Sequence, residues 1–166
     1  MSKLILGVDP GATGAIALFA PNEGKMLWVK DTPNKKVTLT TKKVTNKIDI
    51  KALQNMFERV LLVANEQNAE LIVHIEQVQA FSKQSAPAAF NFGYAAALPF
   101  AIASAMNLEI RFVHPAVWKR AVGLQASEKD DARLLAIQLF PNMREQLKLK
   151  KHVDRADAMF IAAHIF

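Results

Sequence analysis

Residues 3–20, KLILGVDPGATGAIALFA, decide the fold class. Two apolar runs of strand length, 3–8 and 13–20, flank the turn Asp9-Pro10-Gly11-Ala12, and a third run at 25–31, KMLWVKD, alternates as a strand does. This spacing predicts an antiparallel meander. Asp9 closes the first strand in otherwise apolar sequence, where an ionised carboxylate is costly unless a cation or hydrogen-bond donors compensate it.

Beyond the meander, Ile50, Leu53, Met56, Phe57, Val60, Leu61 and Ala64 recur at helical spacing, and Asp49 suits the N-cap of a helix over about 50–68. Residues 70–76, ELIVHIE, read as a central strand, followed after a loop by a long apolar helix, 87–106, opened by Pro87. Residues 109–114 alternate as a fifth strand. Pro115 opens a short helix to about 121, Ser127 caps a helix over 128–139 that Pro141 ends, and a last helix spans 153–165. The pattern predicts an α/β fold with a five-stranded mixed sheet, three strands antiparallel and two further ones parallel, and helices on both faces. With 166 residues, 51% of them hydrophobic, the chain suffices for one core, read as a single domain over 1–166.

Cysteine is absent, which excludes a disulfide framework, a cysteine-ligated zinc site and a cysteine nucleophile. The apolar start is too brief for a signal peptide, and the run from Tyr94 to Met106 falls well short of the ~20 residues that span a bilayer, so the expectation is a cytoplasmic protein without membrane contact. Lysine and arginine outnumber acids 21 to 15, a net +6, which favours a polyanionic partner. The excess is concentrated: residues 33–51 carry Lys35, Lys36, Lys42, Lys43, Lys47 and Lys51 against Asp49 alone, and Arg144, Lys148, Lys150, Lys151 and Arg155 form a second cluster. A phosphate backbone would be attracted to both; the weaker alternative is two solvated surface segments, since lysine-rich loops are also a simple route to solubility.

Glu76 repeats the situation of Asp9 at the end of the other central strand. If those strands are parallel neighbours, both carboxylates emerge at one sheet edge. Asp154 and Asp157, three residues apart, share a face in the first turn of the last helix. Taken singly, these are a turn former, a strand-end partner for lysine and helix-capping acids. Together they make a site of four carboxylates, which hard cations with oxygen preference would neutralise: magnesium, with manganese as substitute. Two such ions about 4 Å apart suit phosphodiester cleavage.

The segments GVDPGATGAIAL, IVHIEQV and HVDRADAMFIAAH resemble, in order and across nearly the whole chain, the three acidic motifs of the RuvC-type Holliday junction resolvases of the RNase H-like superfamily. The first motif alone is also similar to the phosphate loop of the sugar kinase and actin superfamily. The resemblance implies an RNase H-like fold, a magnesium-dependent homodimer that nicks two opposed strands of a four-way DNA junction, and a tetrad of Asp9, Glu76, Asp154 and Asp157. No small-molecule cofactor is implied. In HPAVWKRAVGLQASEKDDA it points to Lys119 and Lys129 as cations near the scissile phosphate, and to Arg120 as a DNA contact; His152 lies where some members place a histidine near the metals. Gln79 stands where members carry an aromatic wedge, and Phe81 follows two later, so sequence preference at the cut is expected to be relaxed. Gln79, Phe81, Lys83, Lys150, Lys151 and the 33–51 lysines are the expected DNA contacts, and the unusually long lysine segment suits an extra duplex arm, extending the range to three-way junctions and forks. Phe90, Phe92 and Tyr94 suit base stacking or, better, a dimer interface. A compact, very basic resolvase would suit a virus that debranches replicated DNA. An RNase H-like ribonuclease, a flap nuclease of no sequence specificity, a non-catalytic junction-binding module and half of a kinase-like fold remain open.

Overall fold

The computed structural model describes residues 2–80, 82–126, 128 and 130–164. Strands β1 (Ser2–Asp9), β2 (Ala15–Ala20) and β3 (Lys25–Asp31) form the expected meander. A two-stranded hairpin, β4 (Asn34–Thr38) and β5 (Val44–Ile48), precedes α1 (Ile50–Glu66), β6 (Ala69–Glu76), α2 (Ala86–Ala105), β7 (Glu109–Val113), α3 (Pro115–Ala121), α4 (Asp131–Leu139) and α5 (Val153–Ala163). The main sheet runs β3-β2-β1-β6-β7, with β1 parallel to β6 and β6 parallel to β7.

The pleat divides the core. Leu4, Leu6 and Val8 of β1 and Leu71, Val73 and Ile75 of β6 point to the side covered by α1 and α2. Ile5 joins the opposite layer, made by α4, α5 and the 3-10 turn Pro141–Leu147. Asp9 shares the parity of Ile5 and Gly7, and Glu76 that of His74, so both acids leave the sheet on the α5 side. His74 is buried there, its Nδ1 donating to the Ile161 carbonyl at 3.0 Å near the end of α5.

Three expectations need correction. Residues 34–48 form a hairpin, where the sequence pattern predicts no element and shows only a basic segment. Lys35 and Lys47 face each other across it, a repulsive pair, relieved because Lys35 pairs with Asp49 at 3.6 Å and Lys47 donates to Asn91 Oδ1 at 3.1 Å. The helix expected from 128 begins at Asp131 after Asp130, and Ser127 lies outside the described residues. Finally, α2 is by length and composition long enough to cross a membrane; the run counted from Tyr94 omitted its first two turns. In the structure it packs on α1, β6 and β7. Asp49 does cap α1, accepting from the Ala52 N–H at 3.2 Å.

Candidate metal centre

The parallel register Gly7↔His74, Val8↔Ile75 brings Asp9 and Glu76 to adjoining strand ends. Helix α5 crosses beneath them. Its approach to β1 is closed by Gly7, where a Cβ would lie 2.4 Å from the Ala162 nitrogen and 2.5 Å from the Ala158 oxygen. This contact sets the first turn of α5 under the strand ends, and carboxylate oxygens of Asp9, Asp154 and Asp157 come within 4.8 Å of one another.

Glu76 stands beside this trio. Its Oε1 accepts from the indole N–H of Trp118 at 2.9 Å, and Trp118 is itself buried, stacked on Phe160 of α5 with ring centroids 5.9 Å apart. Trp118 is not among the residues that the motifs mark, although Lys119 beside it is; its signal in the sequence is an indole, a donor that must find a partner when buried, one residue before a candidate cation. The Lys119 ammonium lies 5.3 Å from the Trp118 ring centroid.

Electrostatics bind the group into one site. Burial first, then Glu76, Asp157 and Asp154, push the Asp9 carboxyl up to about 9, while Lys119 pulls it down. Burial and then Glu76 push Asp157 up to about 7, again against Lys119. Burial raises Glu76 as well, opposed by the Trp118 hydrogen bond and Lys119. Acids so crowded at neutral pH need positive charge, and an all-oxygen donor set of carboxylates fits hard divalent cations.

The loop after Asp9 is equally constrained. A Cβ on Gly14 would sit 2.0 Å from the Asp9 carbonyl oxygen, so only glycine closes this turn. The Gly14 carbonyl accepts from the Thr32 N–H at 2.9 Å, and Asn34 at the base of the hairpin donates from Nδ2 to the Ala12 carbonyl at 2.6 Å. The hairpin is thus tied to the loop that follows Asp9, a link without a signature in the sequence.

Two clefts flank the carboxylates. One, of about 580 Å3, is lined by Glu76, Gln79, Lys119, Arg120 and Asp157 among others; the second, of about 330 Å3, by Asp9, the Gly11–Gly14 loop, Asn91 and Asp154. Phe92 borders both.

Other candidate residues fall elsewhere. His152 is buried, its Nδ1 accepting from the Leu149 N–H at 3.4 Å, and the charges facing it are those of Arg155, Asp31, Lys151 and Arg133. The ring closes the turn before α5. Arg155, grouped above with the phosphate-attracting cluster, makes a two-pronged pair with Asp31, at 2.5 and 2.7 Å, and donates to the Gln146 carbonyl; it locks α5 to β3. Lys36, Lys42, Lys43, Lys83, Lys150 and Lys151 are exposed. Lys129 and Phe81 lie outside the described residues.

No family model and no curated protein matches the sequence. Among solved structures, RuvC of Thermus thermophilus superposes with a TM-score of 0.55 at 22% identity, covering 96% of this chain and 91% of that one. The same protein in complex with a Holliday junction substrate gives 0.54 at 20%, covering 97% and 90%. The likeness spans both chains almost from end to end, and the strand order and the helices on each face agree with it: the chain has the RNase H-like fold of RuvC.

Proposed function

We propose that this protein is a metal-dependent endodeoxyribonuclease that resolves branched DNA, four-way junctions first, by paired nicks. The observation that carries the reading is the convergence of Asp9, Asp154 and Asp157, with Glu76 beside them, at one end of a RuvC-like sheet between two open clefts. The resemblance of the three acidic segments to the resolvase motifs supports it, as does the net charge of +6.

Asp9, Asp154 and Asp157 would hold magnesium or manganese, two ions when the site is full, with Glu76 completing the set. When bound, such ions ionise a water and stabilise the leaving oxygen of a phosphodiester. The chain's own groups do the rest. Trp118 fixes the orientation of Glu76 through its indole N–H. Lys119, close enough to lower the charge penalty on Asp9, Glu76 and Asp157, offsets charge that develops on the phosphate in the transition state. Arg120 and Gln79 line the same cleft and hold the backbone and the bases beside the cut. The exposed lysines of the hairpin, with Lys83, Lys150 and Lys151, supply contacts that weaken with salt.

Two nicks on opposed strands need two centres, hence a homodimer. Phe100 of α2 and Phe112 of β7 lie with ring centroids 5.6 Å apart and are both about half exposed, a surface suited to a second copy.

The deciding experiment incubates a synthetic immobile four-way junction, a fork, a linear duplex and an RNA–DNA hybrid with wild type and Glu76→Gln in magnesium. Symmetric nicks confined to branched DNA, reduced roughly a hundred-fold or more in the variant, are expected from the loss of one charged group at the centre. Equal cutting by the variant removes Glu76 from the site, and preference for the hybrid makes the protein a ribonuclease.

A further inference from the structure

Resting on the nuclease reading, we infer that the groove between the β4–β5 hairpin and α2 is a track for single-stranded DNA that leads to the carboxylate centre.

The groove, of about 210 Å3, is lined by Ala12, Thr45, Asn46, Lys47, Asn91 and Tyr94 among others. Ala12, Asn91 and Ala95 also line the cleft that contains Asp9 and Asp154, so the two spaces share a wall. A strand leaving the carboxylates along the Gly11–Gly14 loop meets the groove at this shared wall.

Its chemistry selects the occupant. Lys47 stands 5.6 Å from the centroid of the Tyr94 ring and bonds to Asn91, so a cation, a carboxamide and an aromatic face converge within one short stretch. Tyr94 is 46% exposed, and Phe90, one helical turn earlier, is 75% exposed. Lys42 and Lys43, exposed in the turn of the hairpin, add positive charge at its tip. Phosphates need the cations, and unpaired bases stack on flat rings irrespective of sequence. A paired duplex hides its base faces from such rings, whereas a single strand offers both its phosphates and its bases, so a single strand is the occupant this chemistry suits. Asn34 couples the two ends, because its bond to the Ala12 carbonyl ties the base of the hairpin to the Asp9 loop. Substrates with an unpaired arm, such as forks and flaps, or a junction opened at its centre, thus gain a contact that a fully paired duplex lacks.

The test measures binding of fluorescein-labelled oligo(dT) by anisotropy in metal-free buffer, with wild type, Tyr94→Ala and Tyr94→Phe, and maps crosslinks from a bromodeoxyuridine-substituted oligonucleotide. Tyr94→Ala is expected to weaken oligo(dT) binding about ten-fold or more, Tyr94→Phe to retain it because the ring persists, and crosslinked peptides to fall within residues 44–47 or 90–95. The inference is overturned if Tyr94→Ala binds as wild type does, if crosslinks fall elsewhere, or if Tyr94→Ala lowers the oligomeric state along with binding, which assigns this face to a second copy. Cleavage is not needed for this readout. Failure of wild type to nick any DNA in magnesium removes the nuclease reading and leaves the binding result standing.

Discussion

Asp157→Asn is expected to leave the chain folded and to lower junction nicking by roughly a thousand-fold, since a lost metal ligand removes several kcal/mol of transition-state stabilisation at about 1.4 kcal/mol per decade. The same variant has an opposite effect on the metal-free fold. Asp9 and Asp157 have folded-state values raised to about 9 and about 7, above those of the unfolded chain. Their contribution to stability is therefore complete only below about pH 4 and is lost as pH rises through 7 and then 9. Metal-free wild type should melt progressively lower from pH 6 to 9. Asp157→Asn removes one of the repelling charges and flattens that slope. Saturating magnesium reverses the order: a ligand at a hundred times its dissociation constant adds ~2.7 kcal/mol, or roughly 5–10 °C for a chain of this size, to wild type and little to the variant. Differential scanning fluorimetry across pH, with and without magnesium, alongside a nicking assay, checks both halves. A variant that cuts normally, or that gains as much from magnesium as wild type, places the metals elsewhere.

Much of this centre could be read from the chain because two periodicities determine it. Period two along β1 and β6 decides which face Asp9 and Glu76 take, and period three to four along α5 aligns Asp154 with Asp157. The parallel pairing of the two strands, expected because both read as central, then supplies the convergence. Residues whose placement depends on tertiary context were less legible. The stretch VTLTTKKVTNK lacks the Asn-Gly or Asp-Gly turn that marks a hairpin, and its strands are held by Asp49, Asn91 and the Ala12 carbonyl, partners distant in sequence or on the main chain. Trp118 and Arg155 likewise owe their roles to single long-range bonds, to Glu76 and to Asp31. Charge counting treated Arg155 as a free cation, whereas its planar fork is occupied by a carboxylate. The resemblance puts His152 near the metals, but its ring, two residues ahead of Asp154, accepts from the Leu149 N–H and faces Arg155, Asp31, Lys151 and Arg133 instead.

Gly7→Ala should cripple the centre without touching any carboxylate. The added methyl carbon would lie 2.4 Å from the Ala162 nitrogen, 2.5 Å from the Ala158 oxygen and 2.6 Å from the Ala162 Cβ. Two of these atoms are helix backbone and cannot rotate away, so α5 must retreat from β1 as a body. Forcing one extra methyl into a tight core typically costs about 1–3 kcal/mol, and a backbone clash lies at the upper end, which lowers the melting temperature by roughly 5–10 °C. The functional loss is larger than the stability loss. Asp154 and Asp157 ride on α5 while Asp9 and Glu76 stay on the sheet, and a misplacement on the order of 1 Å costs about a hundred-fold in rate. Magnesium affinity, read by the thermal shift, falls with it because the same displacement opens the trio of oxygens. Gly93→Ala supplies the contrast for stability: its Cβ meets nothing within 4 Å, and alanine in place of a mid-helix glycine adds up to ~1 kcal/mol. If Gly7→Ala melts with Gly93→Ala and binds magnesium as wild type does, β1 and α5 are not in the contact that holds the four carboxylates together.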